Sequence, residues 1–371
     1  MAAESYDPTV PLDESLKETV TFHGREYQQY SLQNNVYFSP IDEDEVERLQ
    51  VAHEAFRKVF DNRLIFPPVH RLRKVLDCGF GTGAWAAEVA AEYPRCECPG
   101  NIGSETFQDH DFNPTASLAS KTKQQKAVDD CVFESYARIK KDHKVLGIDV
   151  SPHMAQDDDL PNLDFQVDDL NRRFTFDTGE FDLVHSQMVA GGINAGRWKS
   201  YLKDMYRVIR PGGWCQIVEI YYQAQSDNGS LTDGHGKSDS GLRQWSKLYM
   251  QGVSDLKDPR APVRMDALVR HAGFTEVESR VMQMPMCGWP TGMTAFLRGH
   301  WVVAFANTGI KDPRMNEVGR INRENVQRLL SSQAMYIFTE KLGMPYDQAQ
   351  VLIAQARLEA NNPAIKMPET G

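Results

Sequence analysis

The fold of this chain is decided by Val75-Leu76-Asp77-Cys78-Gly79-Phe80-Gly81-Thr82-Gly83-Ala84-Trp85. The apolar start predicts a strand and the residues after Gly83 predict a helix, so the glycines lie in the turn between them. Because glycine lacks a Cβ atom, this turn can adopt positive φ angles and let a ligand approach the backbone. The helix would direct its free N–H groups at a carboxylate or a phosphate. Such turns also occur for packing reasons, so the turn alone leaves both interpretations open.

The spacing of the glycines separates two classes of ligand. A dinucleotide fingerprint requires G-x-G-x-x-G, whereas the glycines here stand at positions 79, 81 and 83. This G-x-G-x-G pattern resembles the first motif of class I S-adenosylmethionine (SAM) methyltransferases.

Bulk composition excludes several classes of protein. With 371 residues, 41% hydrophobic and 25% charged, the chain predicts an ordinary soluble globular protein. The net charge of −10 disfavours nucleic acid as a partner, since phosphate affinity rests on clustered Lys and Arg. No signal-peptide pattern and no run of ~18 apolar residues is present, which predicts a cytoplasmic or nuclear protein without a membrane partner. Six cysteines with one close pair predict reduced thiols and no metal site.

Apolar runs and helical stretches alternate after the glycine turn. Strands that alternate with helices predict a doubly wound, mostly parallel α/β sheet of the Rossmann-like type. The predicted strands are Val145–Asp149, Leu163–Val167, Phe181–His185, Trp214–Ile220 and Thr275–Met282, and the predicted helices among them include Trp198–Ile209 and Val263–His271.

Three segments lie outside this alternation. Residues 1–40 have few periodic apolar positions and predict an extended arm, which precedes a helix capped by Asp42. An insert at 95–143 is far longer than the ~2–6 residues that link a helix to a strand. Residues 313–361 predict two helices. The expected parts are an arm and helix at 1–70 that close over the cofactor, a SAM-binding domain at 71–290 and a C-terminal helical cap at 291–371.

Carboxylates follow two of the predicted strands. In an open α/β sheet the ligand lies beyond the carboxyl ends of the strands. Asp149 ends one strand, where a carboxylate can accept both ribose hydroxyls of a nucleoside. Asp168 and Asp169 end the next, where a carboxylate can accept the adenine amine while Leu170 packs on the base. Each alone is as readily a turn or capping residue, but in this order, followed by Arg210-Pro211-Gly212-Gly213, they indicate a nucleoside site.

Nine segments together carry a resemblance to a known family. They are Tyr37–His53, Leu76–Gly83, Gly147–Pro152, Val167–Asp169, Phe181–His185, Gly191–Ile193, Arg210–Trp214, Gly288–Pro290 and Leu342–Glu359. Through them the chain resembles the fungal LaeA-like (UMTA-type) SAM-dependent methyltransferases. Three features depart from that family: Phe80 stands where a smaller residue is usual, the insert at 95–143 is extra, and the closing strand of the sheet has no evident counterpart.

The resemblance implies SAM as the cofactor and S-adenosylhomocysteine as the product. It implies that the three glycines face the methionine part, that Asp149 faces the ribose, and that Tyr37 closes over the cofactor. His185 is expected either to contact the cofactor or to pack within the sheet. The cofactor-binding residues expected on this basis are Tyr37, Gly79, Gly81, Gly83, Asp149, Val150, Asp168, Asp169, Leu170, His185 and Gln187.

Methyl transfer requires mainly alignment of the reactants and exclusion of water. An O or N nucleophile can also need a general base. The catalytic candidates are Tyr222, His235 and Glu219, the last of which can equally be structural. Aromatic and methionine residues beyond the cofactor half are expected to line an apolar substrate pocket, or alternatively to form ordinary core. The substrate-binding candidates are Tyr221, Trp245, Tyr249 and Trp289.

Three functions remain open at the level of the sequence, because a fold alone does not define an activity. The first is methylation of O or N on a small or medium, fairly apolar metabolite, as in fungal secondary metabolism. The second is a regulatory protein, like the namesake of the family, that acts through partner proteins. The third is a SAM-binding enzyme that rearranges or cyclises its substrate, which Phe80 and the absent closing strand leave open.

Overall fold

The computed structural model describes most of the sheet and its flanking helices. The described residues are 12–69, 72–94, 144–156, 160–224, 240–282, 284–288, 301–302 and 313–362. The insert at 95–143 and the candidates His235 and Trp289 therefore lie outside the described residues.

Nine strands and eight α-helices are present in these ranges. The strands are β1 (Thr19–Phe22), β2 (Arg25–Gln28), β3 (Lys74–Cys78), β4 (Lys144–Asp149), β5 (Leu163–Val167), β6 (Phe181–Gln187), β7 (Ile209–Ile220), β8 (Val281–Met282) and β9 (Trp301–Val302). The helices are α1 (Gln29–Gln33), α2 (Glu43–Val59), α3 (Ala84–Glu92), α4 (Trp198–Val208), α5 (Gly241–Val253), α6 (Met265–Ala272), α7 (Pro313–Ser332) and α8 (Tyr346–Ala360). Short 3₁₀ segments lie at Glu14–Lys17, Ala195–Arg197 and Pro262–Arg264, and a π-helical turn lies at Ile337–Lys341.

Within the described ranges the central sheet has seven strands in the order β5-β4-β3-β6-β7-β9-β8. The five strands from β5 to β7 are parallel, which confirms the predicted doubly wound fold. β9 runs antiparallel to β7, with Glu219 opposite Val302 and Ile220 opposite Trp301, and β8 pairs with the far side of β9. The prediction that the closing strand has no counterpart was wrong. β9 fills that place from beyond residue 290, where the sequence pattern is ambiguous between helix and strand.

Side chains of β3 alternate between two cores, as expected for a sheet covered by helices on both faces. Val75 packs with α3 residues such as Val89 on one face. Leu76 and Cys78 pack on the other face with α4 and α6 residues. The sheet is therefore covered by helices on both faces.

The N-terminal region is more structured than the expected extended arm. β1 and β2 form an antiparallel hairpin whose turn residues His23 and Gly24 both have positive φ, 51° and 77°. Such a turn matches the twist of the flanking strands. Tyr27 of this hairpin is fully buried, and the Arg25 guanidinium donates to the Asp42 carboxylate at 2.6 and 2.7 Å. The hairpin thus fixes the start of α2, where Asp42 accepts the Glu45 amide as predicted.

A buried ion pair joins α2 to the C-terminal helices. Arg48 donates to both carboxylate oxygens of Glu45, at 2.8 and 2.7 Å, and to the Asn325 side chain of α7 at 2.9 Å. Both charged side chains are about 1% exposed or less. Asn325 in turn donates to Asn322, which donates to the Pro285 carbonyl. The C-terminal helices are therefore attached to the sheet domain through a continuous polar network.

None of the helices in the described ranges has the length and apolar character that crossing a bilayer requires.

Removing the charge of Glu45 leaves the Arg48 guanidinium buried without its counterion, which typically costs about 3 to 5 kcal/mol. Glu45→Gln is therefore expected to lower the free energy of unfolding, measured by urea titration, by about 3 kcal/mol. Glu47→Gln on the same helix is the matched control, because its partner Arg328 is at the surface and the loss should stay under about 1 kcal/mol. Equal losses for the two variants would contradict a stabilising role for the buried pair.

Candidate functional site

A deep crevice opens at the carboxyl edge of the sheet. It lies beside the ends of β3, β4 and β6, where the chain order of the strands reverses on either side of β3. This is the place where open α/β sheets bind their ligands. The residues that line it are Val36, Tyr37, Arg48, Leu49, Ala52, His53, Phe56, Asp77, Gly79, Phe80, Gly81, Thr82, Ala84, Trp85, Asp149, Val150, Ser151, Met154, Asp169, Leu170, Asn171, His185, Gln187, Met188, Val189, Gly191, Gly192, Tyr222 and Gln333.

The three glycines of the turn have positive φ and different surroundings. A Cβ at Gly79 would lie 2.6 Å from Val189 Cγ1, and one at Gly83 would lie 2.5 Å from the Phe165 ring. At Gly81 the nearest atom would be 3.9 Å away. Gly79 and Gly83 are thus required by packing as well as by φ, while a Cβ at Gly81 would meet only Leu49 Cδ1, at van der Waals distance. The packing interpretation therefore applies to Gly79 and Gly83, and Gly81 leaves room for a ligand near the backbone.

Helix α3 begins inside the crevice. Its N-cap is Gly83, which offers no side chain to the first turn, and no described side chain caps it. Ala84 and Trp85 line the crevice, so the free N–H groups and the positive end of the helix dipole belong to its wall. A carboxylate bound there would be stabilised by both.

Asp149 stands at the end of β4 and is held by the backbone around it. One carboxylate oxygen accepts the Gly81 amide and the other accepts the Ser151 amide, both at 3.0 Å. A carboxylate has about four acceptor positions, so each oxygen keeps a lone pair for a hydroxyl donor. Burial raises the pKa of Asp149 to about 6 against the lowering effect of these N–H groups. The carboxylate is therefore ionised at neutral pH and placed to accept a vicinal diol.

The residues after β5 differ in whether they line the crevice. Asp169 lines the crevice and accepts the backbone and side-chain N–H groups of Asn171, at 2.9 and 3.1 Å. Leu170 also lines it. Asp168 does not line the crevice: its amide donates to the Asp149 carbonyl, and burial raises the pKa of its carboxyl group. The structure thus brings Asp169 and Leu170 to the site and leaves Asp168 beside it.

His185 lines the crevice and also packs within the sheet. Its ring stacks on Trp85 with centroids 3.6 Å apart, and its Nδ1 lies 2.8 Å from Asp77 Oδ1. Its Nε2 is buried and has no hydrogen-bond partner among the described residues. With the Nδ1 proton donated to the carboxylate, Nε2 is an acceptor in the crevice wall. A ligand that carries an ammonium group would satisfy it.

A cover segment, residues 34–41, crosses the crevice between α1 and α2. Val36 and Tyr37 line the crevice from this side. Burial raises the pKa of Tyr37 to about 12, so its hydroxyl stays protonated. Val150, also expected at the site, lines the opposite wall, and its carbonyl accepts the Gln28 side chain at 2.9 Å.

The catalytic candidates fall in different places. Glu219 is 1% exposed and does not line the crevice. Its carboxylate accepts the amides of Val189 and Ala190, at 3.0 and 3.2 Å, and burial raises its pKa to about 8. Glu219 therefore supports the loop that carries Val189, as its structural interpretation predicts. Tyr222 does line the crevice, and burial raises its pKa well above the usual value.

The substrate-binding candidates that are described lie in the core or beside it. Trp245 is 2% exposed, donates its indole N–H to the Leu330 carbonyl at 2.8 Å and stacks on Tyr249 with centroids 5.3 Å apart. Both belong to the cluster between α5 and the C-terminal helices. The Tyr221 hydroxyl donates to Gln223. None of the three lines the crevice. Residues 242, 245, 249 and 253 share one buried helix face. This helical spacing is typical of core residues and fits the core interpretation.

Other crevice residues were not predicted to contact a ligand. Leu49, His53 and Phe56 lie on α2, a helix expected to close over the cofactor, but none of the three was among the predicted contact residues. Asn171 follows the predicted Asp169, and Met188 follows the predicted Gln187. Gln333 reaches the crevice from the end of α7, and no local sequence pattern indicates such a contact.

The chemistry of the crevice fits SAM. The open backbone at Gly81, the uncapped start of α3 and the unpartnered His185 Nε2 suit the methionine carboxylate and ammonium groups. Asp149 suits the ribose hydroxyls, and Asp169 with Leu170 suits the adenine. SAM supplies a methyl group on a positively charged sulfur, already activated for transfer.

Comparisons with known proteins agree with this assignment. Residues 132–213 match the family model described as a methyltransferase domain. The methyltransferase pytC of Aspergillus terreus is 26% identical over 343 residues, which are 91% of this chain and 81% of that protein. The laeA protein of Emericella nidulans is 24% identical over 343 residues, 90% of this chain and 76% of its own, and is described as a secondary metabolism regulator and as a protein-methionine methyltransferase.

Among solved structures, a SAM-dependent methyltransferase from Thermotoga maritima, a possible histamine N-methyltransferase, is 13% identical with a TM-score of 0.37. The match covers 70% of this chain and 95% of that one, a similarity too remote to bear on function. The strand order, the crevice and the two curated relatives lead to one conclusion. The chain has the fold of the class I SAM-dependent methyltransferases and is similar to pytC and laeA over about nine-tenths of its length.

Proposed function

We propose that the protein methylates an oxygen or nitrogen atom of a small or medium, fairly apolar metabolite. The observation that supports this proposal is the composition of the crevice outside the groups assigned to the cofactor. That part is lined by Ala52 and Phe56 of α2, by Met188 and Tyr222, and by Gln333. Such a wall, mostly apolar with a few polar groups, suits a compact organic acceptor.

The two features that left a non-methylating reaction open now have structural explanations. β9 supplies the closing strand of the sheet. Phe80 is 7% exposed, and its ring packs against Phe165 with centroids 4.5 Å apart. Phe80 therefore fills a space beside Gly147 and leaves Gly81 open. These contacts favour methyl transfer over a rearrangement.

We assign the role of general base to His53. It lines the crevice next to Ala52, and its Nε2 lies 3.2 Å from Glu88 Oε2. A carboxylate beside the ring would stabilise the imidazolium that forms when the nucleophile loses its proton. Tyr222 is unsuited to this role because its phenol stays protonated at neutral pH, its pKa being raised by burial. The Tyr222 hydroxyl instead orients the acceptor by hydrogen bonding.

Asp149→Asn should weaken SAM binding by about ten- to a hundredfold, the range for losing a hydrogen bond to a charged group. Isothermal titration with SAM and S-adenosylhomocysteine measures this change. Because the pKa of Asp149 is about 6, affinity of the native protein should fall as the pH drops from about 7 to about 5, while that of the Asp149→Asn variant stays nearly constant. Absence of binding by the native protein would remove the cofactor assignment from this chain.

His53→Gln should lower methyl transfer by about a hundredfold, the lower end for loss of general acid–base catalysis, and leave the SAM dissociation constant unchanged. The assay follows label from methyl-labelled SAM into the small-molecule fraction of an extract of the producing cells. Gln50→Ala, an exposed position on the same helix, is the control. Unchanged transfer by His53→Gln, or label found only in protein, would contradict the proposal.

A second acceptor, a methionine side chain, is favoured by one specific observation. The laeA relative is described as a protein-methionine methyltransferase, and Met188 lines this crevice at a φ of 58°, which is uncommon for a side-chain-bearing residue. A thioether sulfur gains a methyl group without losing a proton, so this reaction needs no general base. A protein modified in this way would fit a regulatory role through partner proteins.

Incubation of the purified protein with SAM tests this second acceptor. If Met188 is modified, the intact mass should rise by one methyl group, and the rise should disappear in Met188→Leu but persist in Met250→Leu, which lies at the α5 core cluster. His53→Gln should leave the rise intact, which separates the two acceptors. An unchanged mass in the native protein, with SAM bound, would exclude automethylation.

A further inference from the structure

We propose that Lys257 is a positioning residue that latches the cover segment across the crevice and thereby sets the rate at which the nucleoside ligand enters and leaves. The inference rests on the proposed SAM site for the identity of the ligand, but the latch itself is a property of the protein alone.

Lys257 has an unusual set of partners. Four acceptors surround the three N–H donors of its ammonium group. They are the backbone carbonyls of Asn35 and Val36 at 3.0 and 2.8 Å, the Gly192 carbonyl at 2.9 Å and Asn194 Oδ1 at 2.7 Å. The residue is 2% exposed, and no carboxylate of the described residues forms an ion pair with it. Burial of an ammonium group is costly unless its donors are satisfied. The cover segment supplies two of these acceptors and the loop after β6 supplies the other two.

The acceptors belong to the two rims of the crevice. Val36 precedes Tyr37 on the cover segment, and Gly192 ends the loop after β6; all three line the crevice. Lys257 therefore joins the rims directly, from a position outside the crevice lining. A ligand held beneath Tyr37 leaves only after this joint has opened.

The hydrogen bonds of Lys257 are connected to Asp169, the residue assigned to the adenine. The Gly192 carbonyl accepts both Lys257 Nζ and Asn171 Nδ2, at 2.9 and 3.0 Å. Asn171 also donates to Asp169, and its Oδ1 accepts the Asn194 amide at 2.7 Å. Contact of a ligand with Asp169 thus orders the residues that hold Lys257. Ligand binding and closure of the cover segment are expected to reinforce each other.

Two backbone hydrogen bonds report on the cover segment without any ligand. The Val36 amide donates to the Ser31 carbonyl and the Ile41 amide donates to the Glu26 carbonyl, both at 2.8 Å. In Lys257→Met, hydrogen exchange at these two amides should accelerate at least about tenfold, whereas the Leu76 amide in β3 should be unaffected. Lys199→Met, an exposed lysine, is the matched control and should change nothing.

With ligand present, S-adenosylhomocysteine should dissociate from Lys257→Met about tenfold faster, and the KM for SAM should rise with little change in kcat. Asn194→Ala removes one acceptor and should raise the amide exchange rates and the dissociation rate of S-adenosylhomocysteine by a smaller factor. It replaces Lys257→Met in the test if that variant folds poorly. Unchanged exchange at Val36 and Ile41 in both variants would overturn the latch. Failure of the native protein to bind SAM would instead refute the proposed function and leave the exchange experiment valid.

Discussion

The hydrogen bond from the Gly81 amide to the Asp149 carboxylate is the interaction on which the rest of the site depends. It ties the turn after β3 to the end of β4 at 3.0 Å, and it requires a backbone conformation that glycine adopts without strain. The same contact places α3 with its N-terminus in the crevice and leaves each Asp149 oxygen with acceptor capacity. Turn, helix and carboxylate therefore form one unit, which the Gly79 amide strengthens by donating to the Ile148 carbonyl.

Buried ionisable groups hold the walls of the crevice. Arg48 joins α2 to α7, Glu219 holds the loop of Val189, and Lys257 joins the cover segment to Gly192. Each burial costs free energy unless the polar partners are complete. Hydrophobic packing would hold these loops less specifically, because apolar contacts lack direction. The free-energy cost of burying these charged groups is offset where several irregular loops have to be held in fixed positions around one ligand.

The sequence predicted those parts of the site whose signals are local. The glycine spacing and the carboxylates after predicted strands identified Gly81, Asp149 and Asp169, because strand ends in a parallel sheet meet at one edge. Contacts between segments distant in the chain were missed. Nothing near Gln333 or Lys257 indicates that they reach residues some hundreds of positions away, and Trp245 was read as a pocket residue although its helical spacing equally fits a core.

The acceptor side of the crevice is built from parts far apart in the sequence. Phe56 comes from α2, Tyr222 follows β7, and Gln333 follows α7, whereas the cofactor side comes mainly from consecutive strand ends of the sheet. Substitutions on the acceptor side can therefore change the shape of the pocket without moving Gly81 or Asp149. Gln333, which follows α7, brings the C-terminal helices into one wall of the crevice, so the shape of that wall depends on how these helices pack against α2.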